Sequence, residues 1–135
     1  MTNPIFEKLM EVVESDRKFG LGAYQFVFEG LEHTLRSLPV RRHVTGRELL
    51  KGLRELALQH FGMLAQTVLR QWGVTRTADF GEIVFRLVDA GLMGKTESDS
   101  MTDFTDVFDF GEAFGQGALA LPLFASGTEE PTGAV

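Results

Sequence analysis

The stretch TGRELLKGLRELALQHFG, residues 45–62, decides how the rest of the chain is read. Thr45 followed three residues later by Glu48 forms a capping box, in which the threonine oxygen accepts from one backbone amide and the glutamate reaches back to another. A helix therefore starts here, and Gly62, which can take the left-handed backbone that ends helices, stops it after Phe61. Helical spacing sorts the side chains between into three faces. Leu49, Leu53, Leu56, Ala57 and His60 make the face expected to be buried, with Glu48 and Glu55 on one flank. Arg47, Lys51 and Arg54 line up as a basic stripe beside Leu58.

Working outward from this helix, the flanking segments have the same period. On the N-terminal side, Asn3 caps and Pro4 opens a first helix that carries Ile5, Leu9, Val12 and Val13 on one face to about Asp16. A second helix lies between the Gly20/Gly22 break and Pro39. Tyr24, Val27, Phe28, Leu31, Leu35 and Leu38 form one arc of it, and Ala23, Phe26, Gly30 and Ser37 form a smaller face where Gly30 permits close packing. On the C-terminal side, MLAQTVLRQW predicts a short helix ended by Gly73. ADFGEIVFRLVDAGL predicts another at about 78–90, with Phe80, Ile83, Val84, Leu87 and Val88 inward. Residues 92–110 lose the helical period and are expected to form a loop with a small β-ribbon, followed by a last turn of helix at GEAF. The expected fold is mainly α, about five helices with a small C-terminal β-ribbon. The alternative is a winged-helix-like α+β arrangement. Residues 1–114 form the expected single domain, and 115–135, rich in Gly, Ala, Pro, Ser and Thr, the expected flexible, disordered tail.

Composition narrows function by exclusion. A chain of 135 residues has the size of one domain. With no cysteine, disulfides, thiolate catalysis, iron–sulfur clusters and Cys-based zinc sites are ruled out together. No apolar run approaches the roughly 20 residues of a membrane span, and the early acids are unlike a secretory leader, so the expected location is the cytoplasm, with no membrane partner. Charge is divided unevenly: residues 1–78 hold eleven Lys/Arg against eight Asp/Glu, and residues 79–135 hold two against eleven. Positive charge concentrates in Arg36, Arg41, Arg42, Arg47, Lys51 and Arg54. Such a split either draws the two halves together or offers opposite faces to partners.

The tetrapeptide DFGE occurs at residues 79–82 and 109–112, but the rest of a kinase is missing: no glycine-rich phosphate loop, no strand lysine and no His-Arg-Asp loop. Asp79 and Asp109, each three residues before a glutamate, read instead as helix starts with acids near the positive dipole end. His33, His43 and His60 have no i, i+4 partner for a metal, and His60 reads as a hydrogen-bonded core residue. The acidic run ESDSMTDFTDVFD lacks the order of a calcium loop. No serine sits in a nucleophile elbow. The reading is non-catalytic, with no cofactor and no metal.

The segments AYQFVFEGLEHT, RRHVTGRELLKGLRELALQHFG, LRQWGVTRTADFGEIVFRLVDAGLMGKTESDSMTDF and FDFGEAF resemble a conserved hypothetical family found chiefly in Planctomycetes, Verrucomicrobia and related bacteria. The resemblance spans about residues 5–114 and implies no activity, cofactor or catalytic residue. What remains is binding. The expected function is a small protein-interaction or adaptor domain that meets another protein or a second copy. Its expected contacts are Arg41, Arg42, His43, Arg47, Lys51 and Arg54, with Phe104 and Phe108 as aromatic anchors or, in the plainer reading, as core residues. The alternative is a nucleic-acid- or ribosome-binding regulator that uses the basic helix 45–61. The acidic residues 97–109 oppose that alternative, because they would repel a duplex.

Overall fold

The computed structural model describes residues 3–94 and 100–115. Among these the chain is mainly helical: α1 Pro4–Asp16, α2 Leu21–Arg36, α3 Gly46–Phe61, α4 Ala65–Gln71, α5 Thr77–Asp89 and α6 Phe110–Phe114. Short 3-10 turns, Gly62–Leu64 and Met101–Phe104, precede α4 and lie between α5 and α6. No strand occurs among the described residues. The β-ribbon expected within 92–110 and the winged-helix alternative built on it depend partly on residues 95–99, which lie outside the described residues, as does the tail from residue 116.

The helix starts follow the residues that satisfy their first amides. Asn3 Oδ1 accepts from Ile5 N at 2.9 Å, and Thr45 Oγ1 accepts from Glu48 N at 3.1 Å while Glu48 Oε1 accepts from Thr45 N at 2.9 Å. Asp109 caps α6 by accepting from Glu112 N at 3.1 Å. The first DFGE copy acts differently. α5 begins at Thr77, two residues ahead of Asp79, and Asp79 turns back to accept from Thr75 N at 2.9 Å. Its carboxylate is buried at 3% exposure, with Lys18 and Arg76 within 4 Å.

The tightest packing is between α2 and α3, where glycines replace side chains at the contact. A β-carbon on Gly30 would collide with Leu53, and one on Gly52 with the buried Thr34 hydroxyl, which donates to Gly30 O at 2.8 Å. The face of α2 that carries Ala23, Phe26, Gly30 and Thr34 is therefore covered as fully as Tyr24 and Val27. Phe28, Leu31 and Leu35 on the other arc are only half-buried. Phe26 joins the layers, its ring centroid 5.7 Å from both Phe61 and Trp72 and 6.5 Å from Phe80. Each fully buried large apolar side chain of this kind contributes about 1.5–3 kcal/mol. On α3 the buried face holds Leu49, Leu50, Leu53, Leu56 and Ala57, but His60 is exposed. His60 is a correction of the expected core histidine: it lies exposed in the last turn, its ring T-shaped to that of Phe61 at 6.0 Å.

α1 is packed lightly: Leu9 is its one buried side chain, Val12 and Val13 lie half-buried against the core, and Ile5 is 66% exposed. The link to α5 runs through Asp16, which pairs with Arg86, and through Lys18, whose ammonium lies 2.8 Å from Glu82; Arg86 also reaches Glu82 at 2.9 Å. These bonds hold the Asp16 and Glu82 carboxyls below their ordinary range and raise the Lys18 ammonium. Phe19 lies fully buried beneath this clasp, with the Lys18 and Arg86 cations 5.2 and 5.9 Å from its ring centre.

Candidate functional site: the basic face of α3 and the cavity at its start

The six cations between residues 36 and 54 divide into two groups. Arg36 and Arg41 share Glu32, each at 3.3 Å, and Arg42 grips Glu48 through two bonds of 3.0 and 2.8 Å while also donating to His43 O at 2.9 Å. By contrast Arg47, Lys51 and Arg54 have no hydrogen-bond or ion-pair partner among the described residues. Arg47 and Lys51 are exposed and Arg54 is half-buried. Spaced at i, i+4 and i+7, the three span about 10 Å along one side of α3, opposite Leu49.

The described acids of the C-terminal half do not neutralise this stripe. Among the described residues, no ion pair joins Asp103, Asp106, Asp109 or Glu112 to α3. Asp103 instead accepts from Ser100 N at 2.9 Å, beside Gly46. The mutual attraction expected between the two halves is thus not realised as contacts with the stripe.

The aromatic candidates are placed inside. Phe104 is 2% exposed, wedged between Gly46 and Gly81 and edge-on to Phe85, so it serves the core and cannot anchor a partner in this conformation. Thr77 fixes it there: its hydroxyl donates to Phe104 O at 2.6 Å and accepts from Val107 N at 3.1 Å. Phe108 is half-buried against Phe110 and Phe114, at 6.0 and 6.1 Å. The plainer reading of both phenylalanines describes this structure. Thr77 itself gave no sequence signal, since a lone threonine in a turn is unremarkable until its tertiary partner is known.

Sequence reasoning also missed a cavity of about 180 Å³ between α2, α3 and α5. Leu31, Leu35, Leu49, Val84, Met93 and Phe104 form its apolar wall, and Arg42 and His43 edge it. His43 is exposed, and its imidazole has no partner among the described residues. The Thr45 hydroxyl at the same edge is committed to the helix cap. This donor set suits binding: it offers a fixed cation and an imidazole, with no carboxylate or free nucleophile on the wall among the described residues. Among the described residues no group of three or more His, Asp or Glu is placed to hold a metal ion, and no helix is long and apolar enough to cross a membrane.

The Arg42–Glu48 pair gives the α3 start a pH signature. Arg42 first, and the Thr45 amide next, hold the Glu48 carboxyl down from 4.5 to about 2. A depressed carboxyl contributes stability that is present above the unfolded value and is lost as pH falls from about 4.5 through 2. Glu48→Gln keeps a side chain able to complete the capping box but removes the charge. Its urea midpoint is expected to fall less than wild type's across that window; parallel curves would contradict the assignment.

Comparison with protein-family models, with curated proteins and with solved structures returned no match.

Proposed function

We propose that the protein is a small cytoplasmic, non-catalytic interaction domain that docks an acidic polypeptide on the Arg47/Lys51/Arg54 face of α3. The observation that carries this reading is the contrast within one basic region: Arg36, Arg41 and Arg42 are bound to glutamates, whereas the stripe has no acidic partner. Three unpaired cations at helical spacing fit carboxylates on an extended or helical partner. Arg41 and Arg42 shape the loop that leads into α3 rather than contact the partner. Membership of the bacterial family that the chain resembles belongs to the same proposal and rests on the ordered match over about residues 5–114.

A short acidic polypeptide segment, which need cover only the roughly 10 Å of the stripe, is favoured over a nucleic-acid duplex by its reach. The chain carries a net charge of −6, and its acidic segment, including exposed Asp106, Asp109 and Glu112, presents carboxylates that a duplex would meet as repulsion. The test is a pull-down from native lysate with wild type and the R47E/K51E/R54E variant side by side. A polypeptide retained by wild type and lost from the variant supports the reading. Retention of nucleic acid instead, released steeply by salt, would establish the rival reading.

A further inference from the structure

We propose that the cavity between α2, α3 and α5 binds a small amphiphilic carboxylate, an aryl or short alkyl chain ending in an acid, at a site separate from the basic stripe. Its volume of about 180 Å³ is matched to one small apolar group. An engineered cavity of about 150 Å³ lined by aliphatic and aromatic side chains stays dry and takes up benzene, so this wall has room for a phenyl ring or a chain of similar bulk. The wall comes from five separate pieces of the fold: Leu31 and Leu35 from α2, Leu49 from α3, Val84 from α5, Met93 from the segment after α5, and Phe104 from the turn clamped by Thr77. The pocket opens to solvent at its edge, and its wall is set by several elements rather than by one side chain.

The edge supplies the polar half of the recognition. Arg42 has five N–H donors, of which three are engaged, one on His43 O and two on Glu48. Two remain, on a guanidinium whose position is already fixed, so a ligand carboxylate would meet an ordered donor. His43 adds an unpartnered imidazole at the same edge. Of the acids near this edge among the described residues, Glu48 is held by Arg42, Glu32 is shared between Arg36 and Arg41, and Asp103 accepts from the Ser100 amide. An apolar pocket with cationic donors at its edge and, among the described residues, no acid on its wall favours an acid with an apolar body over a sugar, a nucleotide or a cation.

The probe is 3-phenylpropanoate, titrated into the full chain and followed through the methyl resonances of Leu31, Leu49 and Val84. Saturable shifts of those methyls are expected. Leu35→Trp, at a half-exposed position on the cavity wall, fills the space without touching the deeper core and is expected to weaken binding at least tenfold. His43→Gln is expected to weaken it several-fold and to leave the fold unchanged. The neutral analogue 3-phenylpropan-1-ol is expected to bind several-fold more weakly than the acid. Absence of saturable shifts up to the probe's solubility limit, or shifts that Leu35→Trp leaves intact, would overturn the site. Equal affinity for the alcohol and the acid would overturn the assignment of a carboxylate. R47E/K51E/R54E is expected to bind the probe as wild type does, which separates this site from the docking face.

Discussion

Gly81→Ala is expected to destabilise the protein by about 2–3 kcal/mol, whereas Gly111→Ala, at the same place in the second DFGE, should stay within about 1 kcal/mol of wild type. The tetrapeptides are identical, but their surroundings are not. A β-carbon on Gly81 would fall 2.6 Å from the Phe104 β-carbon and 2.7 Å from its γ-carbon. Those atoms adjoin the backbone and cannot swing aside unless the 3-10 turn moves, and Thr77 holds that turn by two hydrogen bonds. Evicting Phe104 costs about 3 kcal/mol, and better helix propensity offsets at most about 1. At Gly111 the nearest atom is the Asp109 carboxylate oxygen that caps α6, 3.0 Å away on an exposed side chain, and it need give only a few tenths of an ångström, at a cost within that of one helix cap. Urea denaturation of both variants checks the contrast. Equal stabilities would mean that Phe104 is not seated against Gly81.

Gly73→Ala should cost still more, at least about 3 kcal/mol, because backbone conformation and space are both against it. Gly73 has φ +90°, and a β-carbon there would collide with the main-chain carbonyl of Lys18, which no rotamer change can move. The Lys18 segment is tied to the end of α4 by Gly20 N donating to Trp72 O at 3.1 Å. Displacing it unseats Phe19 and opens the charge clasp that holds α1. Gly62 is the comparison: with φ +53° and ψ −127° it has a backbone that L side chains rarely adopt, but nothing lies within 4 Å of an added β-carbon, so Gly62→Ala carries the backbone penalty alone, about 2 kcal/mol. Thermal unfolding separates the two, at roughly 2–8 °C per kcal/mol for domains of about this size. Comparable melting shifts for Gly62→Ala and Gly73→Ala would show that the Lys18 carbonyl is not the obstacle.

These glycines also show what could be read from the sequence. Gly62 and Gly73 were legible as helix stops, as were the Thr45–Glu48 capping box, the Asn3-Pro4 start and the Asp109 cap, because each depends on residues within four positions of itself. The basic stripe was legible for the same reason, since helical spacing alone puts Arg47, Lys51 and Arg54 on one side. Gly81 was read only as part of a helix start, and its role is to make room for a residue 23 positions later. The start of α5 was legible at about residue 78 with an acid in its first turn, and the helix opens at Thr77 with Asp79 in that turn. The bonds of the Thr77 hydroxyl to Phe104 and Val107 were not, because no local pattern contains them. Arg41 and Arg42 looked as available as Arg47 until the loop before α3 folded back on Glu32 and Glu48. The cavity draws its wall from five pieces of chain, so no single segment could announce it.

The central claim is that the stripe on α3, and not the neighbouring arginines, is the cationic surface open to a partner. Poly-L-glutamate binding, measured by calorimetry on wild type, R47E/K51E/R54E and R36Q/R41Q, tests it most directly, with circular dichroism to establish that all three are folded. The account predicts binding to wild type that weakens with salt, a loss of at least tenfold in the triple variant, and little change in R36Q/R41Q, whose arginines already share a glutamate. Equal losses in the two variants, or binding that survives reversal of the stripe, would contradict it.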